Sequence, residues 1–298
     1  MAATDPVILV TGSSGLIGFP LCERLEAAGY RTFGLDRPGL PHPPDLAEAV
    51  DCDLADDQSV RSAMKQVRQD GGPRIASVVH LAAYYDFSGE PSPLYENVTV
   101  RGTERLLNEL GSFDVEQFVF SSTMLVHAPC APTQRISEDW PLDPKWDYPR
   151  SKVDTERLIL ARRGRVPAVL LRIAGVYDDE CRALPLAQQV QRIHERKLTG
   201  KVFPGDVLRG QSFVHLDDLL DAIVRVVDRR KELPPELPLL IGEPETLSYD
   251  ELQRTFAWQI HQDPNWDTTQ IPKALAKAGA WVQDQAWRDE ESFIKPWM

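Results

Sequence analysis

Cysteine is scarce in this sequence, and the four present, Cys22, Cys52, Cys130 and Cys181, stand far apart in 298 residues. The spacing has neither the close pairs of a zinc site nor the density of a small disulfide scaffold, so the thiols read as reduced and no metal is expected. Clustered positive charge is missing too. Lys and Arg number 33 against 45 Asp and Glu, a formal charge of −12, and phosphate neutralisation needs a basic patch, so no nucleic-acid partner is expected. The longest basic run, Arg162, Arg163 and Arg165, falls at the end of an expected helix, where cations complement the dipole. No stretch approaches the ~20 apolar residues of a membrane span. An apolar run at 7–10 follows the start closely with no basic region leading a longer apolar segment, so no membrane partner and no secretory signal are expected, and the expected location is cytoplasmic.

What the chain does have is rhythm. Its first half alternates short apolar runs with longer helical patterns, the form of repeated βαβ units and a parallel sheet. Strands are expected at 7–10, 31–36, around Ala49, and at 77–82, 117–121 and 168–173, with helices at 15–28, 95–110 and 148–162. Beyond Ile173 the rhythm loosens around Pro185, Pro204 and Gly205, then a strand at 212–215 feeds a helix at 216–228. The expected class is α/β: a doubly wound sheet of 1–176 and 214–243 with a smaller C-terminal lobe of 177–213 and 244–298. The length suits two closely packed lobes.

Between the first strand and first helix stands Thr11-Gly12-Ser13-Ser14-Gly15-Leu16-Ile17-Gly18. A tight turn needs Gly12, a pyrophosphate lying on the backbone needs Gly15 to lack a Cβ, and close helix packing needs Gly18 to be small. The helix start, with Ser14, Leu16 and Ile17, then offers unpaired N–H groups to the phosphates. Asp36, about 20 residues beyond at the end of the second strand, can accept hydrogen bonds from an adenosine ribose and would repel a 2′-phosphate. NAD is therefore favoured, while Arg37 next door keeps NADP open. Asp53 and Leu54 follow the third strand, where an adenine contact and an ordinary exposed loop are both open readings.

These pieces, with His80-Leu81-Ala82-Ala83, Asn97 to Thr103 (NVTVRGT), Ser121-Ser122-Thr123, Tyr148 to Lys152 (YPRSK), Leu171-Arg172 and Phe213 to Asp218 (FVHLDD), run in family order through about the first 220 residues. The chain thereby resembles the extended short-chain dehydrogenase/reductases, in particular the NAD-dependent epimerase/dehydratase group, whose fold is of the Rossmann type. The resemblance implies that Leu81, Ala82 and Ala83 line the cofactor cleft, that Asn97 orders the central helix beside the active site, and that residues after Tyr177 cover a small-molecule substrate. It also implies a homodimer through the helices at 95–110 and 148–162.

A tyrosine phenol, with a reference pKa of about 10, is a poor base at neutral pH unless a positive charge stabilises its phenolate. Tyr148 and Lys152, four apart on a helix, share one face. The spacing therefore predicts a phenol made acidic by its lysine, and the resemblance adds that Lys152 holds the nicotinamide ribose. Thr123 can donate to a substrate oxygen while Tyr148 moves the proton, and Ser122 can share that contact.

Other residues read more plainly. His80 lies in an apolar run and is expected to be buried on backbone partners, and His215 carries the same caution. Asp217 and Asp218 open a helix as caps. Cys130 and Cys181 lack an activating neighbour. Tyr84, Tyr85 and Phe87 lead into a loop where substrate stacking and ordinary packing are equally open. Trp258, Trp266, Trp281, Trp287 and Trp297 are expected to pack the small lobe or an interface.

Substrate choice rests on departures from the family. Nucleotide-sugar members carry Arg-Asp where this chain has Gln211-Ser212, with Arg209 close enough to substitute. A late helix closing on Leu-Gly has no match after Phe293, which reads as a truncated or trimmed chain. Met124 and Leu125 stand where dehydratases place an acidic pair. The leading expectation is hydride transfer at a sugar or nucleotide-sugar hydroxyl; an apolar alcohol or ketone and a non-catalytic dinucleotide sensor are the alternatives, the sensor disfavoured by an intact Thr123, Tyr148 and Lys152.

Overall fold

The computed structural model describes residues 6–43, 48–86, 90–131 and 134–271. Along the chain come Val7–Thr11 (β1), Gly18–Ala27 (α1), Arg31–Asp36 (β2), Glu48–Asp51 (β3), Asp57–Gly71 (α2), Arg74–Ile75 (β4) and Ser77–His80 (β5). A π-helical turn, Tyr95–Val100, runs into Arg101–Leu110 (α3), followed by Asp114–Val115 (β6), Phe118–Thr123 (β7), Asp147–Arg162 (α4) and Ala168–Ile173 (β8). Then follow Gly175–Tyr177 (β9), Leu184–His194 (α5), Val202–Phe203 (β10), Phe213–His215 (β11), Leu216–Asp228 (α6), Glu236–Ile241 (β12), Tyr249–His261 (α7) and Thr269–Gln270 (β13).

Seven strands form one parallel sheet in the order β12-β8-β7-β5-β1-β2-β3. Every residue of β1, β7 and β8 is buried, as expected of parallel strands covered by helices on both faces. The chain leaves β1 towards β2 and β3 and then returns to pair β5 on the other side of β1. That reversal opens a crevice at the carboxyl ends of β1 and β5, where ligands of such sheets bind. This is the doubly wound Rossmann-type α/β fold.

Local differences from the expected elements have local causes. The first helix begins at Gly18 rather than 15, because residues 13–17 form turns in which the Gly15 N–H donates to the Gly12 carbonyl (3.1 Å). Strand β5 stops at His80, leaving Leu81, Ala82 and Ala83 as irregular chain. The helix expected over 95–110 opens with a π turn, a feature common near functional sites. Helix α2 has no counterpart among the expected elements, although Asp56 caps it by accepting from the Ser59 N–H (2.6 Å).

The chain divides into two units, the sheet unit of Met1–Ala128, Ser137–Ile173 and Leu216–Ile241, and a second unit of Pro129–Ile136, Ala174–His215 and Gly242–Met298. In the sheet unit, Phe33, Leu35, Val50, Met64, Leu106 and Phe118 anchor the main core. Asp217 and Asp221 of α6 pair with Arg24 of α1, a contact beyond the capping expected of Asp217. In the second unit β11 pairs with β9, and Ile193, Ala257 and Trp266 form a small core. Trp266 donates to the Gly200 carbonyl (3.3 Å), whereas Trp258 is exposed. Trp281, Trp287, Trp297, Phe293 and Phe87 lie outside the described residues. Among the described residues no helix is long and apolar enough to cross a membrane.

Candidate active site

The turn after β1 is set by what it leaves out. Gly12 has φ +73°, and a Cβ there would meet the Ala82 nitrogen at 2.9 Å. A Cβ on Gly18 would stand 2.0 Å from the Gly12 carbonyl oxygen, so helix and turn meet only because that atom is missing. Gly15 and Leu16 are exposed at the start of α1, whose first residues carry no side-chain cap at Ile17. The Ser13 and Ser14 hydroxyl oxygens are buried without a hydrogen-bond partner. Buried polar atoms of that kind call for a ligand or ordered water, and although the Ser14 N–H expected to be unpaired is spent on Asp36, they stand beside a helix start without a side-chain cap and fit a dinucleotide pyrophosphate.

Asp36 closes the turn from β2. One oxygen accepts from the Ser14 N–H (2.9 Å) and the other from the Arg37 N–H (2.8 Å), which aims the carboxylate at the loop while Arg37 lies exposed. Asp53 accepts from the Ala55 N–H (2.9 Å), and the Leu54 side chain is buried against Gly102, where a Cβ would come within 2.9 Å. Asn97 sits in the π turn and holds Arg105 of α3 through its carbonyl (3.1 Å) and its side-chain oxygen (3.4 Å).

Beneath the turn runs a chain of buried hydrogen bonds. The Ala82 N–H donates to the Thr11 hydroxyl (3.2 Å), which contacts His80 Nδ1 (2.7 Å); His80 Nε2 contacts the Thr103 hydroxyl (2.8 Å), which donates to the Thr99 carbonyl (2.6 Å). His80 is fully buried as expected, but on side-chain hydroxyls rather than backbone. Burial holds its imidazole neutral down to about 3.

The ionisable groups expected at the site gather on one face of α4, opposite the end of β7. Tyr148, Lys152 and Glu156 follow at i, i+4 and i+8, and each meets a different residue of the strand end. Tyr148 lies close enough to Thr123 for that side chain to favour its ionised form. Lys152, only 3% exposed, donates to the Ser121 carbonyl (2.7 Å) and lies over the Phe120 ring at 4.9 Å. Glu156 accepts from the Ser122 hydroxyl (2.5 Å). Ser122 is thus committed to a carboxylate, a partner its spacing did not foretell.

Glu156 also accepts from Arg172 of β8 through Nε (3.2 Å) and Nη2 (2.9 Å), an ion pair buried on both sides. The remaining Arg172 donor, Nη1, reaches the Glu138 carbonyl (2.8 Å) and His127 Nε2 (3.2 Å). Sequence reading missed Glu156, His127 and the role of Arg172. The i+8 position was the available signal for the first of them.

Electrostatically the site departs from the acidified phenol that the spacing predicts. Burial raises the Tyr148 pKa above its usual 10, with Tyr85 and Tyr95 adding to the rise and Thr123 opposing it. Burial likewise lowers Lys152 from 10.5 to about 7, opposed by Glu156. Desolvation favours the neutral form of each group. The protein's own groups therefore hold Tyr148 as a proton donor.

Tyr85 packs edge-on to Tyr148 with ring centres 4.7 Å apart, and Tyr84 meets Tyr95 at 4.9 Å. Tyr85 is nevertheless 51% exposed, so it presents aromatic surface beside the phenol. Arg209 and Gln211 belong to the second unit. There Arg209 donates to the Cys130 carbonyl (3.3 Å) and stands 3.7 Å from Asp206, and the Gln211 amide lies against Gly175. Cys181 adopts φ +54° and, like Cys130, is half-buried and free.

Comparison with known proteins agrees with this geometry. A family model described as the NAD dependent epimerase/dehydratase family matches residues 8–242. A UDP-glucose 4-epimerase of Mycolicibacterium smegmatis is 29% identical over 227 residues, 73% of this chain and 72% of that protein. A dTDP-4-dehydro-6-deoxy-D-allose reductase of Streptomyces bikiniensis is 28% identical over 282 residues, covering 82% and 83%. Among solved structures, the UDP-glucose 4-epimerase of Thermus thermophilus in complex with NAD superposes with a TM-score of 0.70 at 25% identity, covering 92% of this chain and 93% of that one. The chain belongs to the NAD dependent epimerase/dehydratase family.

Proposed function

We propose that this protein catalyses hydride transfer between NAD and a carbon bearing a hydroxyl on a sugar or nucleotide sugar, as an epimerase or a dehydrogenase/reductase. The observation that carries the reading is the meeting of Tyr148 and Lys152 of α4 with the Ser121–Thr123 end of β7, at the same carboxyl edge of the sheet as a turn built for a dinucleotide. Gly12, Gly15, Gly18 and the Ser13 and Ser14 hydroxyls hold the pyrophosphate, Asp36 selects the unphosphorylated ribose, and Leu81, Ala82 and Ala83 line the cleft. Bound NAD supplies the hydride acceptor or donor and, when oxidised, a positive charge. Thr123 binds the substrate oxygen, Tyr148 gives its proton to a carbonyl or takes one from a hydroxyl, and Lys152 orients the ribose while its charge steadies the phenolate.

The names of the relatives, UDP-glucose 4-epimerase and dTDP-4-dehydro-6-deoxy-D-allose reductase, support a nucleotide sugar. A second reading, an apolar alcohol or ketone, is favoured by the exposed Tyr85 ring beside Tyr148 and by Gln211-Ser212 in place of Arg-Asp. The smaller lobe, with Arg209 and Gln211, is assigned to the substrate, and a homodimer to α3 and α4, on the family resemblance; the cytoplasmic location rests on the scattered, free cysteines.

The test is a screen of UDP- and dTDP-sugars and of hydrophobic alcohols, followed by NADH absorbance, with Tyr148→Phe as the control. The variant is expected to lose about 10²- to 10⁴-fold in turnover. Undiminished turnover would remove Tyr148 from the chemistry.

A further inference from the structure

We propose that Glu156 is a positioning residue of this reaction: its carboxylate, clamped by Arg172 and Ser122, keeps the Lys152 amine protonated and seated on the Ser121 carbonyl. The inference deepens the proposed function and rests on it for its catalytic consequence. Three observations carry it.

The first is register. Ser122 and Arg172 are paired neighbours on the parallel strands β7 and β8, and Glu156 bonds both. One carboxylate therefore fastens α4 to two strands at the residue before Thr123. The Lys152 Nζ takes the preceding carbonyl, at Ser121. Helix and strand end are thus joined at successive residues, and a shift of Glu156 moves the ammonium, the serine and the threonine together.

The second is the cost of the arrangement. An ion pair buried on both sides is often replaceable by apolar residues without loss of stability, so stability alone does not account for its presence here. A buried carboxylate one helical turn from a buried ammonium supplies one.

The third is the charge around Lys152. From α4 it faces Tyr148 and Glu156; from β5, His80, whose protonation the lysine charge disfavours; from β8, Arg172 behind Glu156; from β7, the Ser121 carbonyl and the Phe120 ring. Tyr95 and Tyr85 lie beyond Tyr148. Glu156 is the carboxylate that holds the ammonium against burial. Without it, Arg172 and desolvation both act against the charge, and the amine loses its proton at a lower pH.

The experiment follows Lys152 directly. In protein labelled with [ε-13C]lysine, its resonance is assigned by its disappearance in Lys152→Arg and titrated in the wild type and in Glu156→Gln, which keeps the shape and removes the charge. The midpoint is expected to fall by ~1 pH unit or more in Glu156→Gln. NAD affinity is expected to fall about tenfold at pH 8 and to return towards the wild-type value at pH 6. A folded Glu156→Gln with an unmoved midpoint overturns the proposal. If that variant fails to fold, the paired replacement Glu156→Leu with Arg172→Met removes both charges and is expected to lower the midpoint in the same direction by a smaller amount, because the opposing Arg172 charge goes with it, and an unmoved midpoint or failure of both proteins to fold assigns the pair to stability and overturns the proposal. The titration needs no substrate, so a moved midpoint in a protein that turns over none of the screened compounds sinks the proposed function and leaves the electrostatic role of Glu156 standing.

Discussion

The turn after β1 and the end of β7 lie at the same carboxyl edge of one sheet, and they reach order by different means. The turn depends on missing atoms: a Cβ at Gly18 would stand 2.0 Å from a carbonyl oxygen, and two serine hydroxyls are left without partners. At β7 the polar side chains touch one another, with Ser122, Lys152, Glu156 and Arg172 tied to named acceptors or donors. The contrast separates two tasks. On the proposed function, a loop that admits a ligand's phosphates leaves two hydroxyls unspent, whereas a site that holds reacting groups still spends its polar atoms on its own neighbours.

The comparison breaks most severely at Gly18. Replacement by Val puts side-chain atoms into the turn's backbone, and the expected outcome is loss of NAD binding with destabilisation at or above the ~3 kcal/mol of severe overpacking, read by thermal melting and cofactor titration. A normally folded Gly18→Val that binds NAD would show that the turn is not specified by this contact. Lys152→Met should divide function from stability. Turnover is expected to fall about 10²-fold or more, while the fold gains. The folded lysine titrates near 7 and the unfolded one near 10.5, so between those values the unfolded chain binds more protons and this group's contribution to stability rises with pH. The melting-temperature gain of Lys152→Met is therefore largest below pH 7 and shrinks towards pH 10; a gain that grows with pH would contradict the burial of the ammonium. The smallest change expected is at Tyr85. Tyr85→Ala should raise KM for an aromatic or apolar substrate several-fold, roughly the 1 kcal/mol at the low end for a lost hydrophobic contact, with little change in kcat. Equal KM values for both proteins across the substrate screen would reduce Tyr85 to packing.

The same contrast explains what the sequence alone disclosed. Gly12, Gly15 and Gly18 were legible because a backbone approach admits one residue type, and Tyr148 with Lys152 because four residues in a helix make a face. The parallel sheet was legible from its fully buried strands. Glu156 and Arg172 were not, because the partner of a helix residue on a neighbouring strand is fixed by strand register, which no local spacing encodes. Ser122 looked available to a substrate for the same reason. The π turn at Tyr95–Val100 also escaped, since one additional residue in a helical turn barely alters apolar periodicity. The tyrosine pKa was misjudged because desolvation depends on how deeply the ring is packed, a property of the assembled fold.

The bonds through His80 have a direction. Thr103 gives its proton to the Thr99 carbonyl, so its oxygen receives the His80 Nε2–H, and His80 Nδ1 in turn receives the Thr11 hydroxyl proton, as Thr11 receives the Ala82 N–H. Every link points the same way, from the turn towards α3, and the imidazole is locked as one tautomer. A second proton on that ring would face a hydroxyl already pointing at it and force a reversal. Between 6.5 and about 3 the unfolded imidazole takes up a proton that the folded one refuses, so stability falls as the pH drops through that window, and because the dinucleotide turn and the central helix share this one joint the two are expected to loosen in concert rather than one after the other.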